Sequence, residues 1–412
     1  MPIVDTLSAR DMRGRVLNED TLGLDRVVRS FLRTCVRLGP GALAMVQGGP
    51  GAGKTEFLRR CAHAIELDRD GLGPDAATGL YQGTVWYNPW MYAKQGNVLA
   101  GLVSAMCKSA GNGAAILDRG RDVSTNLMRM RFDGTVPDAV GAGLNPSDVD
   151  PLDRVRRGFA LLADQVKAGQ PGRLVIFIAD LEQLPANVRM NFLDGLKLLL
   201  GGGADVLVIV AMGREAAVSA IRAREGDVPD ASAHKILDEL VDLAISVPKV
   251  DVRRIGLLLR RFLTPQGEGL VRRAFGSETI EQLLASAGYR ALGTPRFVER
   301  LAMRVLLLSE FAMEARASRV IGESEWSWIV LSERWPDFRR FLIRGGSDRW
   351  ADLKETVAAL SDADAAIRRP DLWKWLEDDL ILNEYLRIYA DAFERDVEAV
   401  HWIEDLQQAA GL

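Results

Sequence analysis

One short stretch has the residue types and the spacing that phosphate chemistry requires. It consists of a glycine, four further residues and then Gly-Lys-Thr, in the order Gly48-Gly49-Pro50-Gly51-Ala52-Gly53-Lys54-Thr55. Glycines allow the backbone to curl until successive N–H groups point inward at a phosphate. Lys54 can then reach the β- and γ-phosphates, and the Thr55 hydroxyl can ligate Mg²⁺. The stretch therefore predicts a phosphate-binding loop in which residues 48–55, together with Glu56, contact ATP-Mg²⁺.

The flanking residues support this interpretation. The apolar run 42–46 has the pattern of a buried strand, and residues 56–62 have that of an amphipathic helix. The start of such a helix adds its positive dipole end to the site. The alternative is a glycine-rich turn that ends in Gly-Lys-Thr by chance, and the strand–loop–helix context disfavours it.

A site that hydrolyses a nucleotide also needs carboxylates at the end of a neighbouring strand, one for Mg²⁺ and one for the attacking water. The apolar run 175–178 is followed by Ala179-Asp180-Leu181-Glu182-Gln183, so alanine holds the first position after the run. Because side chains alternate along an extended chain, Asp180 and Glu182 share a face and can act as a pair. Asp180 would then hold Mg²⁺ and Glu182 would position water, with Lys54 as the third catalytic residue. Alternatively, both are solvated residues at a strand end, and hydrolysis is slow or absent.

Two arginines are further candidates for contact with the nucleotide. Arg214 follows the apolar run 206–212, where a polar residue can sense the γ-phosphate; a charged residue at a helix start is the alternative. Arg296 ends the stretch Gly293-Thr294-Pro295-Arg296 at the head of a helix. It can stabilise phosphate charge from above the nucleotide, or it can be a capping or solvated residue.

Composition limits the class of protein. The chain has 412 residues, 48% hydrophobic and 26% charged, which is typical of a soluble protein of two or three domains. The net charge of -4 gives no general attraction to nucleic acid or membranes. Three cysteines without paired spacing favour a reduced, cytoplasmic setting. We expect no signal peptide and no membrane span, because the apolar runs are far shorter than the roughly 20 residues that a span needs.

The order of predicted elements indicates the fold class. Strands alternate with helices up to about residue 250, which predicts an α/β fold with a parallel P-loop NTPase sheet flanked by helices. We expect a lead-in and helix over 1–40, the P-loop NTPase domain over 41–250 and a helical lid and C-terminal domain over 251–412. Within the NTPase domain, residues 109–150 are rich in Gly, Asp, Asn and Pro and predict a flexible insertion or lid.

Several stretches together resemble the KAP family of P-loop NTPases, which lies near the STAND and AAA-like ATPases. These stretches are the lead-in over residues 18–26, the P-loop, the aromatic stretch over residues 85–92, residues 236–248, Gly293-Thr294-Pro295-Arg296, and Ser332-Glu333-Arg334-Trp335-Pro336. The family's acidic motif usually reads Asp-Asp-Leu-Asp-Arg, so Ala179 and Gln183 depart from it. Many members carry transmembrane helices between the two nucleotide motifs, whereas the corresponding zone of this chain is polar.

The resemblance implies an ATPase that drives or gates a conformational change in a protein complex. In bacteria, to which the Arg-rich, Ala-rich composition points, such proteins often serve in phage or plasmid defence. The implied partners are ATP and proteins encoded nearby, and a homo-oligomer stays open. The basic segment 251–300 favours a solvated face or a lid over a nucleic-acid contact. The rival is a nucleotide-gated scaffold with negligible turnover, and a phosphotransferase is a distant third because no second substrate motif is evident.

Overall fold

Five parallel strands form the centre of the N-terminal part of the molecule. In the computed structural model, the described residues are 20, 22–69, 80–95, 97–111, 113–129, 151–226, 228–250, 252–263, 294–314, 321–344, 353, 370–395 and 397–409. The strands are β1 (Ala42–Gln47), β2 (Tyr81–Tyr87), β3 (Arg173–Ile178), β4 (Val206–Ala211) and β5 (Leu243–Ser246). Their order across the sheet is β2-β3-β4-β1-β5. β3 and β4 are continuous apolar runs because helices cover both faces of the sheet.

Helices of the N-terminal part pack on the two faces in unequal numbers. They are α1 (Asp25–Cys35), α2 (Lys54–Arg69), α3 (Val98–Ser109), α4 (Ala114–Arg129), α5 (Pro151–Val166), α6 (Ala186–Leu200), α7 (Arg214–Glu225) and α8 (Asp230–Leu240). Apolar side chains of α1 and α2 pack in one core with alternate residues of the central strands. Side chains of α3 to α8 pack in a second core on the opposite face. The observed architecture confirms the predicted α/β P-loop fold.

The start of the described chain is tied to α2 by charge. Both carboxylate oxygens of Asp20 accept backbone N–H groups at the start of α1, from Leu24 at 2.7 Å and from Asp25 at 3.0 Å. Arg60 of α2 is only 5% exposed and pairs with Asp25 at 2.6 Å, with Glu56 at 3.0 Å and with Asp20 at 3.5 Å. One buried guanidinium thus joins the lead-in, α1 and the first turn of α2.

Part of the expected insertion is helical. Across residues 109–150 we expected a flexible insertion or lid, whereas the structure has helix α4 over Ala114–Arg129. Val123 and Leu127 of α4 are buried in the core shared with α3 and α5. The apolar residues that α4 packs against this core, Ile116, Val123 and Leu127, recur at helical spacing, but they are few among polar neighbours. Residues 130–150 lie outside the described residues.

The chain divides into two compact units, residues 1–249 and 250–412. Described helices of the second unit are α9 (Val252–Leu263), α10 (Pro295–Glu314), α11 (Glu323–Arg334), α12 (Pro336–Arg344), α13 (Pro370–Asp378), α14 (Leu380–Arg395) and α15 (Val397–Ala409). Trp326 and Trp328 are buried in its core. The indole N–H of Trp328 donates to Glu404 at 2.9 Å, and Arg339 pairs with the same carboxylate. Tryptophan at these two positions therefore serves packing.

None of the helices within the described ranges combines the length and the apolar character that crossing a bilayer requires. All three cysteines, Cys35, Cys61 and Cys107, are buried free thiols. Burial raises the pKa of Cys35 to about 12, only partly opposed by Arg173, so this thiol stays protonated at neutral pH.

Candidate functional site

The carboxyl ends of the strands meet at one edge of the sheet. Parallel pairing places Val46 of β1 beside Ala211 of β4, and Val210 of β4 beside Ile178 of β3. Ile178 in turn lies beside Tyr87 of β2. The loops that follow these strands therefore lie side by side. In open α/β sheets, ligands bind in the crevice beyond this edge.

The loop after β1 has the curl that phosphate binding needs. Gly51 and Gly53 have φ angles of +75° and +96°, which L side chains rarely adopt. A Cβ atom on Gly48 would lie 3.1 Å from the Ala52 side chain, whereas one on Gly49 would meet nothing within 4 Å. The loop is therefore tight at its base and open at its mouth, and α2 begins at Lys54 directly behind it.

Lys54 lies inside this crevice with its charge satisfied by the protein. Its side chain is 7% exposed, and Nζ donates to the carbonyls of Gly48 at 2.8 Å and Gly49 at 3.0 Å. Nζ also pairs with Glu182 Oε1 at 3.1 Å. Three acceptors match the three donors of an ammonium group. A phosphate oxygen that reached this ammonium would replace one of these oxygen acceptors.

Glu182 bridges the ends of two strands. Its second oxygen, Oε2, accepts the backbone N–H of Gly213 at 3.0 Å, directly after β4. Because β4 lies between β3 and β1, the Glu182 carboxylate lies near the end of β4 and meets there the side chain of Lys54, which comes from the loop after β1. Its two oxygens thus join the loop after β3 to the loops that follow β4 and β1.

Asp180 faces a different partner. Its Oδ2 accepts from Asn88 Nδ2 at 2.8 Å, and Asn88 follows β2 on the other side of β3. The residue has a φ of +57°, in the left-handed region, and precedes a 3₁₀ turn over Leu181–Gln183. Ala179 is buried and packs in the core that contains α2, which is the face that the P-loop helix covers. The structure thus brings Glu182 to Lys54 and Asp180 to Asn88; the metal role of Asp180 stays a prediction.

Arg189 holds the loop that carries Glu182. It lies in α6, is 7% exposed, and its Nη2 donates to the carbonyls of Leu184 at 2.9 Å and Glu182 at 3.3 Å. Its Nη1 donates to the carbonyl of Ala216 in α7. Burial lowers the pKa of Arg189, and the nearby Glu182 partly offsets this. The guanidinium therefore joins the loop that carries Glu182 to α6 and α7.

Four further predicted residues are not among the contacts of the Lys54 ammonium. Thr55 is the half-buried second residue of α2, and the carboxylate of Glu56 pairs with Arg60. Arg214 begins α7, where its side chain contacts α8 through His234 at 3.2 Å and Asp238 at 3.8 Å. Arg296 is the second residue of α10, in the second unit. Their roles toward a nucleotide stay predictions.

The residues present fit a magnesium-bound nucleoside triphosphate. The curled glycine loop, the Lys54 ammonium and the start of α2 offer positive charge and N–H donors to phosphate. The Thr55 hydroxyl is an oxygen donor of the kind that Mg²⁺ prefers, and Mg²⁺ commonly takes its remaining ligands from phosphate and water.

Comparison with known proteins agrees with this geometry. The model of the KAP family P-loop domain matches residues 30–311. The chain belongs to the KAP family of P-loop NTPases. The structure of PCH-2 from C. elegans is similar at a TM-score of 0.33 and 10% identity, over 77% of this chain and 70% of that chain, a likeness too weak for a functional conclusion. A search of curated proteins finds no match.

Three residues that contribute to the KAP site were absent from the predicted site. Gly213 contributes only its backbone N–H, which no side-chain pattern reveals. Arg189 carries no local sequence signal, because its burial depends on the packing of α7 beside α6. Asn88 did carry a signal, because it stands in the aromatic stretch that resembles the family, directly after a predicted strand.

Proposed function

We propose that this KAP-family protein binds ATP-Mg²⁺ in the crevice around Lys54 and hydrolyses ATP slowly, and that the nucleotide drives or gates a conformational change in a protein complex. The observation that carries the proposal is the convergence of two P-loop carbonyls and the Glu182 carboxylate on one buried ammonium, with Glu182 held in turn by the Gly213 N–H. Such a site places an ammonium group and a carboxylate where a triphosphate would end.

Each residue has a role in this proposal. Residues 48–53 would hold phosphate oxygens through backbone N–H groups, and Lys54 would leave Glu182 to neutralise phosphate charge. Thr55 would supply a hydroxyl ligand to Mg²⁺, which when bound offsets the charge of the phosphates. Once released from Lys54, the Glu182 carboxylate can accept a proton from, or orient, the attacking water.

A nucleotide-gated scaffold with negligible turnover is the second candidate, and one observation favours it. The position directly after β3, where the family usually has aspartate, is held by the buried side chain of Ala179. Loss of that carboxylate weakens the case for efficient hydrolysis, whereas binding through the loop and Lys54 does not depend on it.

The setting is proposed with the function. The three free thiols support a reducing compartment such as the cytoplasm. The resemblance to bacterial members supports a role in phage or plasmid defence, with partner proteins encoded nearby. Arg296 is proposed as a sensor of the γ-phosphate from the helical unit, and Arg214 as one from the end of β4.

Calorimetric titration with a non-hydrolysable ATP analogue and Mg²⁺ tests the proposal. We expect Lys54→Ala to weaken binding about 100-fold, because charged contacts to phosphate are each worth about 1.5–3 kcal/mol. Thr55→Ala should weaken binding only when Mg²⁺ is present. Lys108→Ala, on an exposed position of α3, is the matched control and should bind as wild type. Unchanged affinity in Lys54→Ala would overturn the assignment of the P-loop.

A further inference from the structure

The two carboxylates that follow β3 point to opposite sides of that strand. Glu182 reaches across the end of β4 toward β1, where it meets Lys54 at 3.1 Å. Asp180 hydrogen-bonds toward β2, at the far edge of the sheet, where it meets Asn88 at 2.8 Å. One carboxylate therefore faces the phosphate crevice, and the other faces away from it.

Asn88 has both ends of its amide engaged. Its Nδ2 donates to Asp180, and its Oδ1 accepts the backbone N–H of Trp90 at 3.1 Å, which fixes the 3₁₀ turn over Pro89–Gln95. The backbone N–H of Ala179 donates to the Tyr87 carbonyl at 3.0 Å, so the strand ends are also joined by the main chain. The Asn88 side chain is thus a fixed donor and not a free surface amide.

Asp180 needs such a fixed donor. It is one of two non-glycine residues of the described chain with positive φ, and its side chain does not cap the 3₁₀ turn that follows. Aspartate tolerates this conformation better than most residues do, yet the conformation persists only where neighbouring groups hold it. Glu182 lies two residues further on in that turn, so a change in the backbone at Asp180 would redirect Glu182.

We propose that Asn88 is a positioning residue. It clamps Asp180 in the left-handed conformation and thereby aims Glu182 at Lys54 and at the attacking water. Asp180 acts through this hydrogen bond and does not ligate the metal. The inference rests on the proposed ATPase function and assigns the two carboxylates different tasks within it.

The reciprocal exchange of the two side chains is the deciding experiment. Asn88→Asp places two carboxylates at hydrogen-bond distance, and we expect kcat to fall by more than about tenfold because like charges repel. Asp180→Asn keeps an acceptor for Asn88 and should retain kcat within about threefold. The double variant Asn88→Asp/Asp180→Asn restores an amide–carboxylate pair in reversed order, and its kcat should return to within about threefold of wild type.

A second readout does not depend on turnover. The affinity for a non-hydrolysable ATP analogue is measured with Mg²⁺ and with EDTA. If Asp180 only positions, Asp180→Asn gains affinity on Mg²⁺ addition by the same factor as wild type. Thermal unfolding of each variant, and the exposed-site control Gln183→Ala, identify any loss that comes from unfolding.

The outcomes separate the inference from the proposed function. A wild-type protein that binds no analogue refutes the proposed function and the inference with it. In a wild-type protein that binds, the inference is overturned if Asp180→Asn loses the Mg²⁺-dependent gain, or if the double variant stays as defective as Asn88→Asp. Recovery in the double variant together with an intact Mg²⁺ dependence in Asp180→Asn supports it.

Discussion

Two buried cations on the same helix have different roles. Lys54 and Arg60 both lie in α2, and their side chains are 7% and 5% exposed. Lys54 contacts two loop carbonyls and one carboxylate at the mouth of the sheet. Arg60 contacts three carboxylates, of Asp20, Asp25 and Glu56, which belong to the lead-in, α1 and α2.

Burial and ion pairing do not by themselves distinguish a site from a structural clamp. Two partners of Lys54 belong to a loop with an open mouth and the third, Glu182, follows β3, so a ligand can take their place. The partners of Arg60 are elements of the fold. Burial lowers the pKa of Arg60, but the carboxylates of Glu56, Asp25 and Asp20 outweigh it and the net pKa is raised. Arg60 therefore remains charged at neutral pH.

Removing the charge of Arg60 has the largest expected effect, which is on stability. Arg60→Met leaves three carboxylates without their shared cation, and we expect a loss of about 3–5 kcal/mol in the free energy of unfolding, as for other broken buried pairs. Denaturant unfolding measures it, with Arg26→Met on the exposed face of α1 as control. A loss below about 1 kcal/mol would show that Arg60 is not a clamp.

Placing a carboxylate at position 179, beside α2, has the next largest expected effect, on both stability and turnover. Ala179→Asp buries an acidic group on the α2 face of the sheet, which should cost about 1–3 kcal/mol of stability. The same side chain recovers the residue that the family usually has, so we expect turnover to rise. Phosphate release and thermal unfolding are measured on the same preparation, and Ala179→Asn controls for size. Equal rates in the Asp and Asn variants would contradict a role for the charge.

Neutralising Glu182, the carboxylate partner of Lys54, has a smaller effect, and this change should strengthen nucleotide binding. Glu182→Gln removes the carboxylate that competes with phosphate for Lys54. Because Glu182 is 29% exposed and the pair is partly screened, we expect only about three- to tenfold tighter binding of a non-hydrolysable analogue. Turnover should fall in the same variant. Titration with the analogue at fixed Mg²⁺ measures the change in affinity. Weaker binding in the variant would refute competition between Glu182 and phosphate.

A third cation lies in the second unit and gives the smallest expected effect. If Arg296 senses the γ-phosphate, Arg296→Ala should weaken ATP binding by about fivefold, or about 1 kcal/mol, and leave ADP binding unchanged. Parallel titrations with an ATP analogue and with ADP measure the difference, with Arg300→Ala as a neighbouring control. Equal changes for both nucleotides would return Arg296 to a structural role.

Much of this architecture could be predicted from sequence because it depends on local patterns. The P-loop follows from glycine spacing, and the apolar runs that became β3 and β4 follow from burial on both faces. The α/β fold and the KAP family are both confirmed. The order of the strands could not be predicted, because it depends on crossovers that leave no local trace.

The division of work between the two carboxylates depends on that order. Alternation along a strand put Asp180 and Glu182 on one face, but the positive φ of Asp180 ends the alternation and turns the two side chains apart. Arg189 shows the same limit. Its burial depends on α7 packing beside α6, which connects residues 27 positions apart.

Steady-state phosphate release tests the central claim, that the buried ammonium of Lys54 and the Glu182 carboxylate together form a working ATPase site. Wild type, Lys54→Ala, Glu182→Gln and Arg60→Met are compared at saturating ATP and Mg²⁺, below the unfolding temperature of each. We expect slow release in wild type, none above background in the first two variants, and near wild-type release in folded Arg60→Met. A wild-type rate equal to that of Lys54→Ala would contradict hydrolysis and favour the nucleotide-gated scaffold.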